Sequence, residues 1–225
     1  MRLVGDSHVT GPERLPRLRN DYTVKFIGAG GIMREIVQDG KIADKFIDAF
    51  ASQEPVALLL GNETYNAFCF RIDEGTDEQF DFDVLMADNS SVDSTVILPE
   101  YVVRETLSRR LQPINDICAV TKIDALVMGP PPTKDESVLQ ATHARKRTTK
   151  LWMARPYARL KCWKIQREVM RGIAKRNSIL FIDIPNGAAD EDGFLKAEFN
   201  WDGIHGNPDY SVLMLNHIIS QMEAA

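Results

Sequence analysis

The sequence predicts a three-layer α/β/α domain built on a five-stranded, mainly parallel sheet. Two observations carry that expectation. Five short apolar runs rich in β-branched residues lack the apolar–polar alternation of a half-exposed strand, and each is bounded by Gly, Pro or Asn. Such runs suit strands buried on both faces. Between them lie segments with apolar residues at helical spacing, so strand and helix alternate, as right-handed crossovers require.

The five predicted strands are Arg2–Gly5, Tyr22–Gly28, Val56–Gly61, Ala125–Gly129 and Ile179–Ile184. The first predicted helix, Lys41–Ser52, sets Ile42, Phe46, Ile47 and Phe50 on one face. Pro99–Leu111 does the same with Val102, Val103 and Leu107, and Pro99 suits a first helical turn because its missing N–H is not needed there. Tyr157–Arg176 carries Leu160, Trp163, Ile165, Val169 and Ile173, and Ser211–Met222 closes the chain. Phe68–Asp93 breaks the rhythm. Its acids Asp73, Glu74, Asp77, Glu78, Asp81 and Asp83 surround Phe80 and Phe82, which reads as an insertion (about 68–93) containing a hairpin. The expected organisation is a single domain over 1–225 with that insertion.

Composition excludes several classes. Of 225 residues, 44% are hydrophobic and 26% charged, enough apolar mass for a full core. A net charge of −5 argues against nucleic acid as the main partner. Cys69, Cys118 and Cys162 have no CxxC spacing, so they are expected to be buried thiols rather than disulfides or zinc ligands. No apolar run approaches the ~20 residues that span a bilayer, so no membrane partner is expected. Met1 leads straight into a strand without a signal-like apolar region, which makes the cytoplasm the expected compartment. Ser137–Arg167 holds no acid but carries Arg145, Lys146, Arg147, Lys150, Arg155, Arg159, Lys161, Lys164 and Arg167. It is either a solvated face or an anion-attracting wall beside the strand ends.

Four short motifs fall at predicted strand ends or before the last helix. They are Gly5-Asp6-Ser7-His8, Gly28-Ala29-Gly30-Gly31, Leu60-Gly61-Asn62-Glu63 and Trp201-Asp202-Gly203-Ile204-His205. In an open α/β sheet the carboxyl ends of the strands converge, so these motifs can share one site. In order and placement they resemble the SGNH/GDSL hydrolase superfamily over nearly the whole chain. The resemblance implies a flavodoxin-like three-layer fold and a serine esterase that needs no cofactor or metal. Ser7 would be the nucleophile, His205 its base, and Asp202 the carboxylate that orients the imidazole. The backbone N–H of Ser7, that of Gly31 and the Asn62 amide would form the oxyanion hole. Each role matches its side chain: a serine hydroxyl needs a base at neutral pH, and a carboxylate on Nδ1–H fixes the tautomer. The pattern also departs from the family's. Leu60 stands where a glycine usually precedes the asparagine by two places, and His8 replaces the signature leucine.

Three rivals compete. The Gly28–Met33 segment matches a dinucleotide fingerprint only partially, with Met33 in the last glycine's place. A metal-dependent phosphoesterase would use Asp6-Ser7-His8 and Asn62, yet four histidines (His8, His143, His205, His217) leave too few ligands for two metals. A non-catalytic binding module on the same scaffold is the third. The expected substrate is a small-molecule or saccharide ester, with an anionic one suggested by the basic run. The acidic insertion and the Gly129-Pro130-Pro131-Pro132 loop are expected to line its entrance. Nothing in the chain declares the acyl group or the oligomeric state.

Overall fold

The computed structural model describes residues 1–6, 22–27, 33–72, 82–86, 96–135, 137 and 151–225. Its central sheet has five parallel strands in the spatial order Leu180–Ile182, Ala125–Val127, Val56–Leu59, Arg2–Gly5, Thr23–Phe26. All five were predicted from their apolar runs, and the structure trims each except the first by a residue or more at its ends. Numbered along the chain, the order is 2-1-3-4-5, the flavodoxin-like arrangement. Its switch point lies between the first strand and the third, where crossovers leave in opposite directions and open a crevice. Gly5 pairs in register with Leu59, so the loops carrying Asp6 and Asn62 leave the same sheet edge together.

Alternate residues of each strand feed separate layers. Val4, Leu58 and Leu126 pack into one apolar cluster with Val103, Leu107, Ile114, Ile117, Ile165 and Ile173 from three helices. Those helices are Glu100–Arg110, Gln112–Val120 and Pro156–Arg176. Leu3, Ala57, Leu59, Ala125 and Val127 point the other way, against Tyr210, Met214, Leu215 and Ile218 of the closing Pro208–Glu223 helix. Runs without alternation are therefore apolar because both sides of the sheet are covered. No described helix is long and apolar enough to cross a membrane.

Several expectations need correction. Lys41–Ile42 is not helical but pairs antiparallel with Val37–Gln38 across the Asp39-Gly40 turn, both of whose residues have positive φ. That is the twist-matched two-residue hairpin geometry. Only Asp44–Phe46, as a 3₁₀ turn, and Ile47–Phe50 are helical in that segment. The helix expected to end at Leu111 is followed at once by a second, Gln112–Val120, which accepts Pro113 because it falls in the first turn. Among the described residues of the insertion, the two strands do not pair with each other. Phe70–Ile72 pairs antiparallel with Leu151–Met153, and Phe82–Leu85 runs parallel to Val96–Pro99. Residues 73–81 and 87–95, with most of the clustered acids, lie outside the described residues.

The basic run is the largest revision. Lys161 is buried and its Nζ binds both oxygens of buried Asp83, at 2.9 and 3.1 Å. Arg159, 1% exposed, donates to the Thr133 carbonyl at 3.1 Å. Arg167 and Arg171 converge on Asp183. Arg159 and Lys161 are therefore spent on internal anchoring, and Arg167 is paired with Asp183. Arg155 and Lys164 are exposed, while Arg145, Lys146, Arg147 and Lys150 lie outside the described residues. Pro130, Pro131 and Pro132 are buried, and the Pro132 carbonyl accepts from Leu195 N. Cys69, Cys118 and Cys162 are buried free thiols, as expected.

Candidate active site

Beyond the first strand, Asp6 is buried and its carboxylate accepts the Gly61 N–H at 3.0 Å. This bond ties the two loops flanking the switch point. Gly61 has φ +72, and a Cβ there would lie 2.6 Å from Ile114 Cδ1 and 3.0 Å from Met33 Sδ. Only glycine fits that left-handed, crowded position, which explains why it stands directly before the asparagine.

Asn62 is 2% exposed. Its Oδ1 accepts from Gly129 N at 2.7 Å, and Gly129 is itself compelled, since a Cβ would sit 2.7 Å from Asn62 Cβ. With Oδ1 engaged, the amide orientation is set and Nδ2 is left buried with no hydrogen-bond partner among the described residues. A buried donor left unpaired costs ~1–3 kcal/mol, and such exceptions call for an explanation. The same loop is stitched from behind by Gln166, 0% exposed, on the long helix. Its Nε2 donates to the Asn62 carbonyl (2.9 Å) and the Gly61 carbonyl (3.2 Å), while its Oε1 accepts Tyr65 N (2.6 Å).

The fourth motif forms a compact turn. Asp202 Oδ1 accepts the N–H groups of Ile204 (3.0 Å) and His205 (2.8 Å), and Gly203 N donates to Asn200 Oδ1. An aspartate bonding the backbone two and three residues on is a self-contained turn device. It leaves Oδ2 for His205 Nδ1, 2.9 Å away. Downstream, Asn207 Oδ1 caps the last helix by accepting Tyr210 N, and Pro208 opens that helix. The turn is thus fixed against a rigid element.

His205 Nε2 meets a group that sequence reasoning passed over: Glu63 Oε1, at 2.8 Å. Burial disfavours charge on the imidazole, but hydrogen bonds to Asp202 and Glu63 outweigh it and lift its pKa from 6.5 to about 10. Burial likewise works against the Asp202 carboxylate, yet bonds from the His205 ring and from the His205 and Ile204 backbone hold it down at about 2.

The structure therefore brings Asp202, His205 and, through its neighbour Glu63, Asn62 to one place. Ser7 and Gly31 lie outside the described residues. Two residues of this arrangement were not singled out from sequence. Glu63 stood next to Asn62 within a quoted motif, so its position was a usable signal. Gln166 had none, because it lies 104 residues from the backbone it holds.

No protein-family model and no curated protein sequence matches the chain. Solved structures do match its fold. One from Streptococcus pneumonia, described as a platelet activating factor, has a TM-score of 0.55 at 15% identity, covering 98% of this chain and 82% of its own. Another, described as an acylhydrolase from Bacteroides fragilis NCTC 9343, has a TM-score of 0.50 at 15% identity over 99% and 86%. A GDSL-like lipase from Bacteroides thetaiotaomicron VPI-5482 has a TM-score of 0.47 at 14% identity, over 99% and 87%. With its 2-1-3-4-5 parallel sheet covered by helices on both faces, the chain has a three-layer α/β/α fold, which it shares with the first two of these structures.

Proposed function

We propose that this protein is a serine hydrolase of carboxylic esters. Ser7 is the nucleophile, His205 the base and Asp202 the group that orients the imidazole. Ser7 Oγ attacks the acyl carbon as its proton passes to Nε2, and the carbonyl oxygen becomes an oxyanion. Collapse expels the alcohol, which takes that proton. Water then attacks the acyl-enzyme, again losing a proton to Nε2, and Ser7 leaves with the proton as the acid is released. Asn62 Nδ2, with the N–H groups of Ser7 and Gly31, stabilises both oxyanions.

The observation that carries this proposal is the buried Asn62 Nδ2, without a hydrogen-bond partner among the described residues and held by Gly129 and Gln166 one residue from the carboxylate that touches His205. A donor preorganised in this way suits a charge that exists only during reaction. Ser7 directly follows Asp6 in the chain, and the tie of the Asp6 side chain to Gly61 beside Asn62 supports the assignment of Ser7. The shared fold with a structure described as an acylhydrolase is consistent with this assignment. The substrate class we favour is a small-molecule or saccharide ester. Arg159, Lys161 and Arg167 pair internally and so lend no support to an anionic one.

The test is turnover of p-nitrophenyl acetate together with labelling by a fluorophosphonate. Ser7→Ala is expected to abolish both, with the label mapping to Ser7 in the parent protein. Undiminished turnover in that variant would remove Ser7 from the mechanism. A phosphatase activity lost on chelation and restored by manganese would favour the metal-dependent alternative instead.

A further inference from the structure

The two contacts of His205 hold one proton more than a catalytic base can carry. Nδ1 faces the Asp202 carboxylate at 2.9 Å and Nε2 faces Glu63 Oε1 at 2.8 Å. An ionised carboxylate only accepts hydrogen bonds, and a neutral imidazole has a single N–H. A neutral ring donating to Asp202 would set a lone pair on Nε2 against a Glu63 lone pair, which repels. Both contacts are hydrogen bonds only when a second proton lies between Nε2 and Glu63. Yet Nε2 must be bare to accept the Ser7 proton.

We infer that Glu63 is a gate on the base: it holds Nε2 in the resting site, and ester cleavage proceeds only when that contact loses its proton or opens. The inference rests on His205 being the base, and it adds a positioning residue that regulates it. Glu63 reaches the ring from the loop after the third strand, and Asp202 from the ring's own loop. Among the described residues these two are the charged groups that act on it. Position explains the choice of residue. Glu63 directly follows Asn62, whose backbone Gln166 fixes, so the gate is mounted on the oxyanion-hole loop itself. One small movement of that loop would alter the base and the oxyanion donor together.

Two measurements test the gate. The first is the pH dependence of kcat/KM with p-nitrophenyl acetate for the parent, Glu63→Gln and Glu63→Ala. The acid limb of the parent is expected above the ordinary histidine range. Both variants should move it down by at least one pH unit, because glutamine can donate to Nε2 without taking up its proton and alanine removes the carboxylate. The second needs no turnover: an NMR titration of the His205 ring in Ser7→Ala protein, with and without Glu63→Gln. The ring should titrate at least one pH unit lower once Glu63 is replaced. An unchanged His205 midpoint overturns the gate even if the protein is an esterase. A shifted midpoint in a protein without esterase activity retains the Glu63–His205 proton contact and overturns only its catalytic meaning. A loss of kcat in Glu63→Gln with no change in pH profile would make Glu63 merely structural and also overturn the gate.

Discussion

Gln166→Leu keeps the volume of a fully buried side chain and removes its two donors and one acceptor. The Gly61 carbonyl is still served by the Thr64 N–H (3.1 Å) and hydroxyl (2.7 Å), so losing Gln166 does not orphan it. The Asn62 carbonyl and the Tyr65 N–H lose the partners that Gln166 supplies, at 2.9 and 2.6 Å. Two buried backbone groups left unsatisfied cost ~1–3 kcal/mol each, giving a loss of about 2–6 kcal/mol. Against a typical stability of ~5–15 kcal/mol the variant should still fold at 25 °C. Urea denaturation followed by tryptophan fluorescence measures the loss directly. Turnover should fall further than stability requires, because the Asn62 backbone is no longer held and its Nδ2 wanders from the oxyanion position, where one donor is worth roughly 10²–10³ in kcat. KM should change little. Gln166→Glu sharpens the test. Its carboxyl faces the two carbonyls that Gln166 Nε2 bonded, so it must keep a proton to donate to either. Its pKa in the folded state is thus raised, and stability should be retained at acidic pH and lost as pH rises. A loss below ~1 kcal/mol in Gln166→Leu with unchanged kcat would refute the assignment of this residue as the clamp on the oxyanion-hole loop.

Other outcomes follow from the same contacts. Gly129→Ala should displace the Asn62 side chain, since its Cβ would lie 2.7 Å from Asn62 Cβ, and cut kcat by ~10² or more in steady-state kinetics. Lys161→Met, which strands buried Asp83, should destabilise by about 3–5 kcal/mol in denaturant titrations. The double variant with Asp83→Leu should recover most of that loss. The His205–Asp202 pair should shape the pH dependence of stability. His205 is raised on folding, so its contribution is complete below about 6.5 and fades as pH climbs toward about 10. Asp202 is lowered, so its contribution is complete above its unfolded value of ~3.9 and disappears as pH falls through about 2. Thermal melts from pH 5 to 10 should show a decline above pH 6.5 that His205→Asn flattens.

All five sheet strands could be read from sequence because a strand covered on both faces must be apolar at every position. That is a local, one-dimensional signal. Asp202 and His205 were legible for a similar reason: the turn joining them is closed by bonds spanning two and three residues. The hairpin at Asp39-Gly40 was hidden by apolar residues that also fit helical spacing. The helix after Leu111 was hidden because a proline in the first turn resembles a break. Pairing of Phe70–Ile72 with Leu151–Met153 was beyond reach, since neither segment encodes its partner 80 residues away.

The apolar runs by themselves determined the layer arrangement, and Gly5-Asp6-Ser7, Asn62 and Asp202–His205 pointed to the proposed chemistry. Only the tertiary structure decided which charges are free to do it. The basic run read as either a solvated face or a wall for anions, but charge in a sequence carries no record of burial, and Arg159 and Lys161 are spent on Thr133 and Asp83. Glu63 looked like an ordinary polar neighbour of Asn62 until the fold set its carboxylate against His205 Nε2. Hydrogen bonds between residues far apart in the chain depend on distance and direction in space, and the fold alone supplies both.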